Sequence, residues 1–131
     1  MALVKTSTLI FDAITVSGNS YSDESASVVD LTDAVDFAVG YRLTFDAAST
    51  SAGVSIYMYS DPSASDAEYD AGTYDIPADK CDIDGSGTNR GHTVASTYRM
   101  DHSGKYVKFK VRNHDAVSIT NMSVWAIVQK P

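Results

Sequence analysis

The chain has few of the devices that staple small folds. It contains one cysteine, Cys81, so no disulfide can form within it. That usage fits assembly in a reducing cytosol. No apolar run approaches the roughly 18 residues of a membrane-spanning helix. The opening stretch, Met1 to Thr6, has neither the basic region nor the apolar region of a signal peptide, so no membrane partner is expected. Helical spacing of apolar residues with caps is also missing from every window of a dozen residues, which leaves room for no more than a single turn near Ser63–Tyr69. There is no internal repeat and no linker, so residues 1–131 read as one domain. A domain of this length buries roughly two thirds of its unfolded surface and needs no metal or disulfide to hold it.

What the chain does have is alternation. Val35, Phe37, Val39, Tyr41, Leu43 and Phe45 occupy every second position, separated by Asp36, Ala38, Gly40, Arg42 and Thr44. Successive strand side chains point to opposite faces, so this run predicts a strand with one buried side. Val54, Ile56 and Met58 alternate with Ser55, Tyr57 and Tyr59 in the same way. With the small polar stretch 46–53 between them, the two runs read as an antiparallel hairpin. Asp61-Pro62 then starts a loop.

Val107, Phe109 and Val111 predict a further strand, and Val117 and Ile119 open the last one. Beyond Asn121 apolar residues fall on both parities, from Met122 through Trp125 to Val128. Either a bulge near Asn121 shifts the register or a subunit interface covers the second face. Weaker strand signals lie at about 7–16, 24–31, 72–76 and 92–100. The fold class expected is all-β: a single antiparallel β-sandwich, jelly-roll-like, of about eight strands.

Charge is divided along the chain. Residues 1–85 carry fifteen acids against Lys5, Arg42 and Lys80, a net of −12, whereas residues 86–131 carry two acids against seven bases, a net of +5. Such a split marks either a partner of opposite charge or acidic and basic strands paired within one sheet.

Four groups of residues are candidates for chemistry. Asp82, Asp84 and Ser86 fall at positions one, three and five of a calcium-loop template whose sixth residue is Gly87. The twelfth is Thr93, where the template requires glutamate, so the segment reads first as a glycine-rich turn and second as a weak calcium site at 82–88. No other cofactor is implied. Tyr106, Lys108, Lys110 and Arg112 share one face of a strand and could meet phosphates or bases. The acidic chain, with a sequence pI of about 4.6, opposes an encounter with nucleic acid, which favours a solvated strand or a protein interface. Tyr57 and Tyr59 point away from the Ile56 side and could form an interface or a sugar platform, unless the Val54/Ile56/Met58 side faces outward instead. Trp125 lies on the second face of the last strand and is a further interface candidate.

The chain has many serines and the histidines His92, His102 and His114, but no Gly-x-Ser-x-Gly elbow. Cys81 lacks a Cys-x-x-Cys partner and sits beside acids that raise a thiol's pKa. Catalysis is not expected. Asn121-Met122-Ser123 matches a glycosylation triplet inside a predicted strand and reads as chance.

Several segments together resemble small β-sandwich virion proteins of tailed bacteriophages. They are Thr8 to Gly18, Val29-Asp30-Leu31, Tyr41 to Phe45, Val54 to Asp61, and Lys105 to Asn113 followed by a hydrophobic strand to Val128. The resemblance implies a non-enzymatic decoration or other auxiliary capsid protein on the head surface. Its partners would be the major capsid protein and copies of itself in a homo-oligomer, a trimer being one such state. It transfers no catalytic or ligand residue. The other readings are a carbohydrate-binding or host-recognition module and a tail or neck structural protein.

Overall fold

The structure, a computed structural model, describes residues 2–23, 25, 28–45, 53–61, 77–83, 93–101 and 105–131. Eight strands follow in order: β1 (Val4–Val16), β2 (Val29–Asp30), β3 (Asp36–Phe45), β4 (Val54–Asp61), β5 (Asp79–Ile83), β6 (Thr93–Arg99), β7 (Tyr106–Asn113) and β8 (Ile119–Lys130). They form two antiparallel sheets of four, ordered β1-β8-β3-β6 and β2-β7-β4-β5. The first strand pairs with the last, the second with the seventh, the third with the sixth and the fourth with the fifth. A long hairpin rolled onto itself has this pairing, and the result is a jelly-roll sandwich.

The expected hairpin of β3 and β4 does not form. β3 pairs with β6 and β8, while β4 pairs with β5 and β7 in the opposite sheet. Alternation fixes which side of a strand is buried but says nothing about its neighbour, and a connection the length of 46–53 can cross the roughly 10 Å between packed sheets as easily as turn back. The candidate strand at 72–76, the turn at 63–69, and His92 and His102 lie outside the described residues. β5, which the sequence reading missed, is five residues long and carries only Cys81 and Ile83 toward the core. Of the strand expected at 24–31, only Val29–Asp30 is regular.

The core lies between the sheets. Phe37, Val39, Leu43 and Phe45 of β3 are fully buried, as are Ile56, Val107, Phe109 and Val111 from the other sheet. The rings of Phe37 and Phe109 meet across the sandwich, tilted, with centroids 6.1 Å apart. Val35 departs from the expected pattern: it precedes the strand and is 48% exposed. Tyr41 is half-buried. Burial pushes its phenol pKa up, Cys81 adds to the rise, and a hydrogen bond with Ser96 opposes it.

A bulge does occur at Asn121, which adopts φ 50°. Arg42 faces Ser123 but Thr44 faces Thr120, so β8 carries one extra residue there. Below the bulge Ile119 points inward; above it Met122, Val124, Ala126 and Val128 do. Trp125 and Ile127 are thereby turned to the outer side, where both are half-buried.

Candidate binding face on the β7–β4–β5 sheet

β4 runs between β7 and β5, and its outward residues are Ser55, Tyr57 and Tyr59. In register, Ser55 lies between Arg112 and Asp82, Tyr57 between Lys110 and Lys80, and Tyr59 beside Lys108. Tyr106 follows on the same side of β7. The fold therefore brings six of the seven expected interface residues onto one face, and the open question of orientation is resolved: Val54, Ile56 and Met58 point inward. Trp125 stands apart on the outer face of the other sheet, its ring edge close to Gly40 of β3.

The six residues differ in access. Tyr57, Tyr106, Lys110 and Arg112 are half-buried, whereas Tyr59 and Lys108 are buried. Tyr21, which sequence patterning did not single out, completes the face. Residues 20–23 and 25 lie beside β7: Tyr21 bridges to Arg112, and Ser22 exchanges hydrogen bonds with the Val111 backbone at 2.7 and 2.9 Å. This placement sets the Arg112 guanidinium 4.6 Å and the Lys110 ammonium 5.7 Å from the Tyr21 ring centroid, both cation–π contacts. Tyr57 lies at the centre of an aromatic group, 6.2 Å from Tyr21, 6.4 Å from Tyr59 and 6.4 Å from His114.

Ser55, His114 and Asp82 converge at one end of this face. The Ser55 hydroxyl donates to Asp82 Oδ1 at 2.5 Å, and His114 Nε2 lies 2.9 Å from Ser55 Oγ. A hydroxyl has one proton, and here it goes to the carboxylate, so Nε2 is the donor to Ser55 Oγ. That is the reverse of an activated serine, whose proton must pass to the imidazole. The Ser55 bond holds the Asp82 carboxyl below its ordinary pKa, aided by Lys80, whose Nζ is 3.3 Å away. Burial pushes the His114 pKa down, and Arg112 adds to that shift.

Asp82 is thus engaged by Ser55 and Lys80, while Asp84 and Ser86 lie outside the described residues. Among the described residues no three His, Cys, Asp or Glu side chains cluster as metal ligands. Cys81 is buried, and its thiol pKa is pushed up to about 12, by burial first and then by Asp82 and Asp79. Neighbouring acids were the signal visible in the sequence; burial is the larger cause. No helix among the described residues is long and apolar enough to cross a membrane.

No protein-family model matches the chain, and no curated protein does. Solved structures do. Dimeric latent PorU from Porphyromonas gingivalis aligns over 99% of this chain and 13% of its own, with a TM-score of 0.50 and 6% identity. The likeness is one of fold. The structure of infectious bursal disease virus Gx strain aligns over 98% of this chain and 32% of its own, at TM-score 0.46 and 12% identity. A carbohydrate-binding module from Cellvibrio mixtus lichenase 5A, in complex with cellotriose, aligns over 97% of this chain and 87% of its own, at TM-score 0.45 and 14% identity.

Proposed function

We propose that this chain is a non-enzymatic virion structural protein, a decoration protein that docks on a capsid surface through the outer face of the β7–β4–β5 sheet. The observation that carries the proposal is the shared face itself. Tyr57, Tyr106, Lys110 and Arg112 lie side by side on the paired strands β4 and β7, with Tyr21 stacked beside them. Aromatic and arginine side chains on a rigid support suit a protein interface. The arrangement of Ser55, His114 and Asp82 supports a role without catalysis, because the serine proton is committed to the carboxylate. The bacteriophage resemblance of the sequence supports the choice of a capsid as partner.

The test is co-sedimentation of the purified chain with capsids that lack it. Binding is expected, with weakening at high salt and on Lys110→Glu or Arg112→Glu. A chain that never binds such particles overturns the reading.

A second reading, a carbohydrate-binding module, draws on the ring cluster of Tyr21, Tyr57 and His114 beside Arg112. A glycan array separates the two: hits abolished by Tyr57→Ala favour sugar recognition, and an empty array removes it.

A further inference from the structure

Six large hydrophobic side chains are exposed among the described residues, and three of them lie within seven residues of one sheet edge. These are Leu3, Val4 and Leu9, at 52%, 58% and 45% exposure. Among the described residues β1 is the terminal strand of the β1-β8-β3-β6 sheet and pairs on one side only. From Val4 opposite Lys130 to Leu9 opposite Trp125 its register is unbroken; the first irregularity comes after Leu9. Natural edges are protected by bulges, prolines, charges or brevity. This half of β1 has no bulge and no proline, and its single charge is Lys5.

We propose that residues 3–9 pair antiparallel with the same residues of a second copy, joining two four-stranded sheets into one of eight across a two-fold axis. The axis must stand normal to the sheet, so each residue keeps its own face and can oppose only a residue of equal parity. The register that places Thr6 opposite Thr6 sets Leu3 against Leu9, Val4 against Thr8 and Lys5 against Ser7. It shields all three exposed apolar residues and puts the one charge opposite a hydroxyl rather than another lysine. That self-complementarity is the argument for a second copy, since a strongly charged foreign strand would find only Lys5 to read.

An apolar cleft of about 370 Å³ opens on the same edge, lined in part by Val4, Thr6, Thr8, Val29 and Val128. The clefts of the two copies would meet across the axis. The contact uses the sheet opposite the docking face, so it goes beyond the capsid reading and stands without it. It gives a two-fold association, one form of the homo-oligomer that the sequence leads one to expect.

Sedimentation equilibrium of the full chain tests this without any capsid. A reversible dimer is expected. Thr6→Lys, which sets two ammonium groups against each other on the axis, should weaken it by about ten-fold or more. Tyr98→Lys, on the β6 edge of the same sheet, should leave it unchanged. Thr6→Cys should cross-link to a covalent dimer under mild oxidation while buried Cys81 stays reduced, and this variant decides the matter if Thr6→Lys fails to fold. A native chain that stays monomeric up to its solubility limit overturns the proposal, and so does a dimer in which Thr6→Cys does not cross-link.

Discussion

The side-chain amide of Asn113 donates to the main-chain carbonyl of Val16, 97 positions earlier in the chain. The same nitrogen lies 3.3 Å from the Ser17 carbonyl and 2.8 Å from that of Val117, and Oδ1 accepts from the Asp115 amide at 3.0 Å. One fully buried side chain thus ties together the end of β1, the end of β7 and the turn into β8. Removing it leaves several buried backbone groups without partners. Asn113→Ala should therefore cost about 2–4 kcal/mol, read from urea unfolding midpoints. Asn113→Asp should also destabilise, because a carboxylate cannot donate to the three carbonyls.

Gly18 meets the same turn from the other side. A Cβ built there would lie 2.2 Å from the Ala116 carbonyl oxygen and 2.6 Å from its carbon. These are backbone atoms held close to the Asn113 node, so they cannot swing aside as a side-chain tip would. Gly18→Ala should destabilise by about 1–3 kcal/mol, whereas Gly40→Ala, whose nearest neighbour is the Ile127 side chain at 3.5 Å, should cost far less. Thermal melts of the two variants check the difference.

The pH dependence of stability should show two windows. The His114 pKa lies below its ordinary 6.5 in the folded chain, so below that pH the unfolded state takes up a proton that the folded state refuses. Stability should fall as pH drops from about 6.5 toward the folded pKa, and His114→Gln should flatten that part of the profile. The Asp82 pKa lies below its ordinary 3.8, so its contribution is present above that value and is lost as pH falls further. Ser55→Ala should raise the Asp82 pKa and diminish the acid window. Denaturant midpoints from about pH 2 to about pH 8 read both effects.

Cys81 should be inert in the folded protein. It is buried, and its thiol remains protonated up to about 12. Reaction with a thiol-specific disulfide reagent should follow the unfolded fraction, rising across the denaturation transition and negligible before it. Rapid labelling of the native chain would contradict the burial.

Local alternation in the sequence determined a good deal of this protein. The inward sets Phe37/Val39/Leu43/Phe45, Val54/Ile56/Met58 and Val107/Phe109/Val111 were legible because side chains two apart in a strand must share a face. Apolar residues on both parities beyond Asn121 left two readings, a bulge or a covered second face, and the register of β8 against β3 shows the bulge. The same rule placed Tyr57 and Tyr59 on one side of β4, and Lys108, Lys110 and Arg112 on one side of β7.

Tertiary structure alone decided which strands are neighbours. Pairing is a long-range choice, so sequence proximity wrongly joined β3 to β4 and could not show that β4 lies beside β7, which is what merges the tyrosines and the cations into one face. Tyr21 entered that face through a bridge to Arg112, 91 residues away, with no periodic signal to mark it. The uncovered edge of β1 likewise became visible only when the strand order left it with a single partner, because the number of neighbours a strand has is a property of the assembled sheet.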